Sequence, residues 1–183
     1  FLKLNDIVVE PLFPVTSARF QRIDSEKEID RTFNFTWMSE LPEGNKVVAG
    51  KWFDNKKNGI SISSEISERY ELQVNDQIII DIAGKKFKSF IQSIREVNWE
   101  NFSPNFFAIG FPDDFKEISS TYITSFHIPK EKKTLSSELM KTFPTVSYIS
   151  LDAIISEVQS IISKVSEALK LILGLTLVAG LFL

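Results

Sequence analysis

The run QIIIDI-AG-KKFKSFIQSIREV, residues 77–97, decides how this chain is built. Two β-rich segments, 77–82 and 85–97, flank Ala83-Gly84, a two-residue loop with hairpin chemistry. Upstream, Asn75-Asp76 reads as a turn. Before it Ser64 is placed to cap a helix over 65–72, with Ile66 and Tyr70 on one face and acids Glu65 and Glu68 in the first turn. Residues 60–63 (ISIS) form a short strand and 47–53 (VVAGKWF) another, with Gly50 inside it. The LPEGN stretch at 41–45 is turn chemistry.

Residues 32–37 (TFNFTW) alternate strictly, Phe33, Phe35 and Trp37 on one side, Thr32, Asn34 and Thr36 on the other, as a half-buried strand does. Residues 15–23 and 6–10 read as further strands, the second broken by Pro11 and Pro14. Downstream, strands are expected at 105–111, 122–128 and 146–149, and a helix over 132–143 that Pro144 stops. Strands dominate and no long βαβ rhythm is visible. The expected class is α+β, a mixed or antiparallel sheet with short helices.

The last element is a helix. From Leu151 the apolar residues repeat every seven: Leu151, Val158, Val165 and Ile172, then Ile154, Ile161 and Ala168, with Ile155, Ile162 and Leu169 beside them. Ser150 suits the N-cap and Asp152 the first turn. Beyond Lys170 the run LILGLTLVAGLFL (171–183) carries no charge. Thirteen residues rise about 20 Å, less than the roughly 30 Å of a bilayer core. The run is read as the truncated start of a transmembrane helix, after an amphipathic stalk over 150–170 and a folded part over 1–149. Residue 1 is Phe, and the chain is expected to begin after one membrane segment and end inside the next. The other reading of the run is a buried C-terminal core helix.

A net charge of −3 gives no footprint for nucleic acid, and the pairs Lys56-Lys57, Lys85-Lys86 and Lys132-Lys133 read as solvated turns. With no cysteine, disulfides and thiolate metal sites are excluded. The single histidine, His127, sits in apolar TYITSFHIP and reads as a packed or edge residue. No P-loop and no Gly-x-Ser-x-Gly elbow is present, and Asp113-Asp114 are adjacent at a turn after Pro112. No enzymatic activity, cofactor or metal is expected of this piece. Its sequons at Asn34 and Asn101 carry no weight. Sixteen Phe demand packing or contact. Phe102, Phe106, Phe107 and Phe111 read either as core or as an apolar surface for a lipid-like cargo or a protein.

Several segments together resemble the extracytoplasmic domain of bacterial ABC-transporter permeases of the FtsX/MacB type, in particular the YbbP-like group. They are FPVTSAR (13–19), DRTFNFTWMSELPEGNKVVAGKWF (30–53), ISISSEISERYELQVNDQIIIDIAG (60–84), IREVNWENFSPNFF (94–107), TYITSFHIP (121–129) and FPTVSYISLDAIISEV (143–158). The Arg-Glu-Val-Asn-Trp run followed by Asn105, Phe106 and Phe107 is the most specific part. The group more often has Gly-Asp where Asn75-Asp76 stands and Asp at Asn98.

The resemblance implies a MacB-like periplasmic domain of a permease subunit in the bacterial inner membrane, paired with a cytoplasmic ATP-binding subunit that hydrolyses ATP. Membrane lipid, a periplasmic partner and a hydrophobic or lipid-linked cargo are the other expected contacts. Leu151, Ile154, Val158, Ile161 and Val165 would form the stalk that transmits motion, since a helix with packed heptads resists bending. Arg95, Glu96 and Trp99 either fix the join between two strands, through a local ion pair and a packed indole, or touch substrate. Two other functions fit the residues. One is a membrane-tethered interaction domain that regulates an envelope enzyme. The other is a soluble α+β enzyme with a buried C-terminal helix.

Overall fold

The computed structural model describes residues 1–23, 29–53, 58–100 and 103–181. It divides into two compact units, Phe1–His127 and Ile128–Leu183. Lys56-Lys57, Asn101 and Phe102 lie outside the described residues.

The first unit contains strands β1 (Phe13–Arg22), β2 (Ile29–Trp37), β3 (Asn45–Gly50) and β4 (Gly59–Ser63), then helix α1 (Ser64–Tyr70). It continues with β5 (Gln77–Ile82), β6 (Lys85–Val97), β7 (Ala108–Gly110), the short helix α2 (Pro112–Phe115) and β8 (Thr121–Ile123). The 77–97 hairpin is paired in one unbroken register from Gln77↔Phe90 to Ile82↔Lys85. Ala83 and Gly84 both take positive φ, 52° and 85°, as a two-residue loop that matches strand twist requires.

The sheet closes on itself. In the order β1, β2, β7, β4, β6, β5 each strand bonds the next, and β5 returns to β1. The β2–β7 and β4–β6 pairs are parallel and the rest of the ring is antiparallel. Strand β3 hangs off β6, and β8 off β1. Closure gives the alternating apolar positions a common interior. Phe20 stacks on Phe33 at 5.2 Å, and Phe35 meets Phe115 edge-on at 4.9 Å. Ile60, Ile62, Ile78, Ile80 and Ile91 fill the rest. Gly110 is required for this packing, because a Cβ there would lie 2.4 Å from the Phe115 ring and 2.7 Å from Phe35. The Ile66 N–H donates to Ser63 Oγ at 3.4 Å, so the cap of α1 is Ser63, one residue before the expected Ser64.

Several expected elements differ. Residues 6–10 form no strand. Asp6 turns into the left-handed region after a 3-10 turn at Lys3–Asn5, and only Val9 makes a bridge, to Phe126. Pro14 lies inside β1 rather than ending a segment, just before β2 pairing begins at Val15. Thr36 is fully buried, not solvent-facing, because β2 there lies between β1 and β7. The strand expected at 47–53 is β3, which stops at Gly50, and the one at 105–111 shrinks to the three residues of β7. Residues 146–149 form no strand; the Val146 N–H instead closes a turn onto the Phe143 carbonyl at 3.0 Å.

In the second unit, α3 (Thr134–Thr142) buries Leu135 and Leu139, one helical turn apart. Helix α4 (Leu151–Leu181) runs 31 residues without a break, and the Ala153 N–H donates to Ser150 Oγ at 3.3 Å. The amphipathic and apolar stretches therefore share one helix. Among the described residues, no helix is long and apolar enough to cross a membrane.

Candidate functional site

The residues of the most specific motif meet at one end of β6. A register shift in the β4–β6 pairing between Ile60 and Ser61 leaves Ile91 on the apolar face with Ile60 and Ile62, and puts Ser93 and Arg95 on the other face, also buried, beside Ser61 and Ser63. Arg95 has 0% exposure there. Its guanidinium donates from Nε to Ser61 Oγ (2.9 Å) and from one terminal nitrogen to the Phe106 carbonyl (3.0 Å). The other terminal nitrogen donates to Asn45 Oδ1. Ser93 Oγ donates to Ser61 Oγ at 2.8 Å, which orients that acceptor. Asn45 passes the network on, donating to Asn105 Oδ1 at 3.0 Å, and Asn105 donates to the Asn98 carbonyl at 2.9 Å. One buried side chain thus ties β3, β4 and the segment before β7 to β6.

These acceptors are neutral oxygens, and among the described residues no carboxylate bonds Arg95 directly. Burial pulls the Arg95 pKa down to about 10, against the opposing charge of Glu65. It still carries its charge at neutral pH. Burial also raises the Glu65 carboxyl, but hydrogen bonds from Trp99, Ser63 and its own backbone, with the Arg95 charge, outweigh that and leave it below the usual carboxylate range. The Trp99 indole N–H donates to Glu65 Oε1 at 2.7 Å, and its ring lies 4.7 Å from Phe107.

The expected Arg95–Glu96 ion pair is absent. Adjacent strand residues point to opposite faces, so Glu96 is exposed while Arg95 is buried. The carboxylate that matters is Glu65, on α1. Trp99 is a half-packed indole with a hydrogen bond. Phe106 is buried, its ring 6.1 Å from Phe13, and Phe107 packs between Phe33 and Trp99. Asn45, Ser61 and Ser93 belong to the site although the motif does not contain them. Ser61 alternates with the core residues Ile60 and Ile62 and so lies with Ser93 on the other face of β4 and β6, whose burial no local pattern announces.

Chemically this is a knot that fixes strand ends. It offers no exposed nucleophile and no acid–base pair. Among the described residues no group of three His, Cys, Asp or Glu could hold a metal ion. Asp114 accepts from the Asn58 N–H at 2.7 Å and Asp113 pairs with Lys116, so the adjacent acids serve local structure. His127 is exposed. An open depression lined by Asn58, Asn75, Gln77, Lys88, Ser89 and Phe90 shares no lining residue with the knot.

The remaining site residues lie on α4. Leu151, Ile154, Val158, Ile161 and Val165 are all about half exposed, between 47% and 54%. These positions repeat every three to four residues along one side of α4 and are uncovered within the chain.

No family model matches the sequence. The chain is 29% identical to the uncharacterized ABC transporter permease YbbP of Escherichia coli (strain K12), over 100% of its own length. This chain is a homologue of an ABC-transporter permease. It spans 23% of the length of that permease. A crystal structure of a domain assigned to a permease protein of Porphyromonas gingivalis overlaps 79% of this chain and 74% of that one, with 14% identity and a TM-score of 0.43. At that score the overlap adds nothing to the assignment.

Proposed function

We propose that this chain is the extracytoplasmic domain of an ABC-transporter permease subunit, carried on α4 as a stalk that enters the inner membrane. It couples ATP-driven movement of membrane helices to export or extraction of a hydrophobic or lipid-linked substrate. A separate cytoplasmic subunit hydrolyses the ATP. The observation that carries this reading is the match of the whole chain to under a quarter of a permease. Helix α4 supports it. It is continuous, its apolar face is free to pack on neighbouring helices, and its character changes from amphipathic to wholly apolar past Lys170. The Arg95 knot suits a domain that must move as one body, since it ties several strand ends to one side chain.

The test uses the full-length protein with its ATP-binding subunit in proteoliposomes containing a fluorescent phosphatidylethanolamine. The wild type should move the labelled lipid only with ATP. Val158→Asp should leave ATP hydrolysis intact and abolish movement. Equal movement in both proteins removes α4 from the coupling path. Failure of any ATP-binding subunit to copurify contradicts the permease role.

A further inference from the structure

The face of β6 that buries Arg95 is open earlier in the strand, around Phe90. Ile91 belongs to the apolar core and Ser89 pairs with the core residue Ile78, so Lys88 and Phe90 point to the opposite face. Gln77 pairs with Phe90 across β5 and β6 and lies beside it on that face. On the other flank Gly59 of β4 pairs with Phe90. The Phe90 N–H donates to the Asn58 carbonyl at 3.0 Å, and the Asn75 N–H donates to the Ile91 carbonyl at 2.8 Å. Those bonds fix the two asparagines on either side of the strand. Asn58, Asn75, Gln77, Lys88, Ser89 and Phe90 together line an open depression of about 310 Å³, at the small end of ligand sites.

Its polar side chains have no other occupation. The hydrogen bonds of Asn58, Asn75 and Gln77 are all made by their main chain, and the side chains of these three and of Lys88 bond to nothing among the described residues. Phe90 is half-buried and meets no other ring there. Asn58 and Asn75 hold φ of 65° and 74°, where glycine would serve a turn at no steric cost. Asparagine instead supplies a carboxamide at each place. The nearby acids are engaged elsewhere. Asp114 accepts the Asn58 N–H at 2.7 Å, Asp76 pairs with Arg22 at 3.1 Å, and neither lines the depression.

These groups discriminate among ligands. Three carboxamides both donate and accept, and one ammonium only donates. Such a set suits neighbouring hydroxyls, each of which also donates and accepts. No carboxylate is offered to a metal ion, and a single ammonium is little for a chain of phosphates. Strands β4, β5 and β6 are each paired on both sides, so no strand edge is offered to a peptide. The Phe90 ring adds a flat apolar floor, which matches the C–H face of a pyranose. We propose that this depression binds a saccharide, with one sugar ring on Phe90, its hydroxyls bonded by Asn58, Asn75 and Gln77, and Lys88 donating to a sugar oxygen. The site does not depend on the transport reading, and its failure would leave that reading intact.

An array of printed oligosaccharides, probed with the full-length protein in lipid nanodiscs, tests it. The wild type should bind a defined subset of the sugar spots and leave peptide and phosphopeptide spots blank. Asn58→Gly and Asn75→Gly remove the carboxamides while suiting the positive φ, so together they should keep the fold and weaken binding of the best-bound sugar about tenfold in titration. Phe90→Ala and Lys88→Ala should weaken it too, whereas Val48→Ala on β3 should not. Equal binding of monosaccharides and longer chains identifies a free sugar as the ligand, and binding of chains alone a polysaccharide. An array with no sugar bound overturns the site. So do peptide or phosphopeptide spots bound as strongly as sugars, and sugar binding that survives the paired Asn58→Gly and Asn75→Gly substitutions.

Discussion

The ring of strands and the helix α4 are both apolar at regular spacing, yet they treat that apolarity in opposite ways. In the ring, Phe33, Phe35, Ile60 and Ile80 are inside, at 2% exposure or less. On α4, Val158 and Ile161 remain at 50% and 54%. The ring completes its own core and specifies its own shape. The helix carries an apolar face that the described residues leave uncovered. Substitutions in the ring should therefore register as stability, and substitutions on α4 as function.

The largest effect should come from Phe35→Ala and Phe106→Ala. Both side chains are at least 96% buried, and each loss should cost about 3–5 kcal/mol in urea unfolding followed by tryptophan fluorescence. A cost under about 1 kcal/mol at Phe106 would move it from the core to a surface. Arg95→Met should come close behind, at about 3 kcal/mol, because Asn45 Oδ1, Ser61 Oγ and the Phe106 carbonyl lose their donor in a buried place. A neutral result would mean that an apolar chain replaces the knot, and the join would not need its charge.

Trp99→Phe should have a smaller effect, and one that depends on pH. The Glu65 carboxyl sits below its ordinary 4.5 in the folded state, so its contribution is present above that pH and fades as pH falls through the lowered value. The wild type should exceed Trp99→Phe in stability near pH 6, and the gap should narrow as pH drops below about 4. A gap that stays constant to low pH would assign the loss to packing on Phe107 alone. Val158→Asp should change the stability of the chain least, by under about 0.5 kcal/mol, as an exposed substitution does. A large loss there would show that the stripe is already covered within the chain.

Much of the ring was legible where local rules decide. The 77–97 hairpin is set by two positive-φ residues between two β-rich segments, and it appears with the expected bounds. Phe33 and Phe35 follow their alternation inward. What escaped depends on distant pairing. No local pattern says that β2 will lie parallel to β7, and that contact is what buries Thr36. Residues 146–149 have strand composition yet form no strand, so composition misleads there. The Arg95–Glu96 pairing could have been rejected from sequence, because the same alternation that placed Phe33 and Phe35 sends neighbours to opposite faces. Glu65 as the nearby charge could not, since it arrives on α1 from 30 residues upstream.

One labelling experiment tests the central claim, that this chain is the extracytoplasmic part of a permease, most directly. Val48→Cys places one thiol on an exposed position of β3 in a chain otherwise free of cysteine, and it is introduced into the full-length protein with any other cysteines removed. In intact cells a membrane-impermeant maleimide should label it as fully as it does after lysis. Labelling only after lysis would put the domain on the cytoplasmic side and contradict the account.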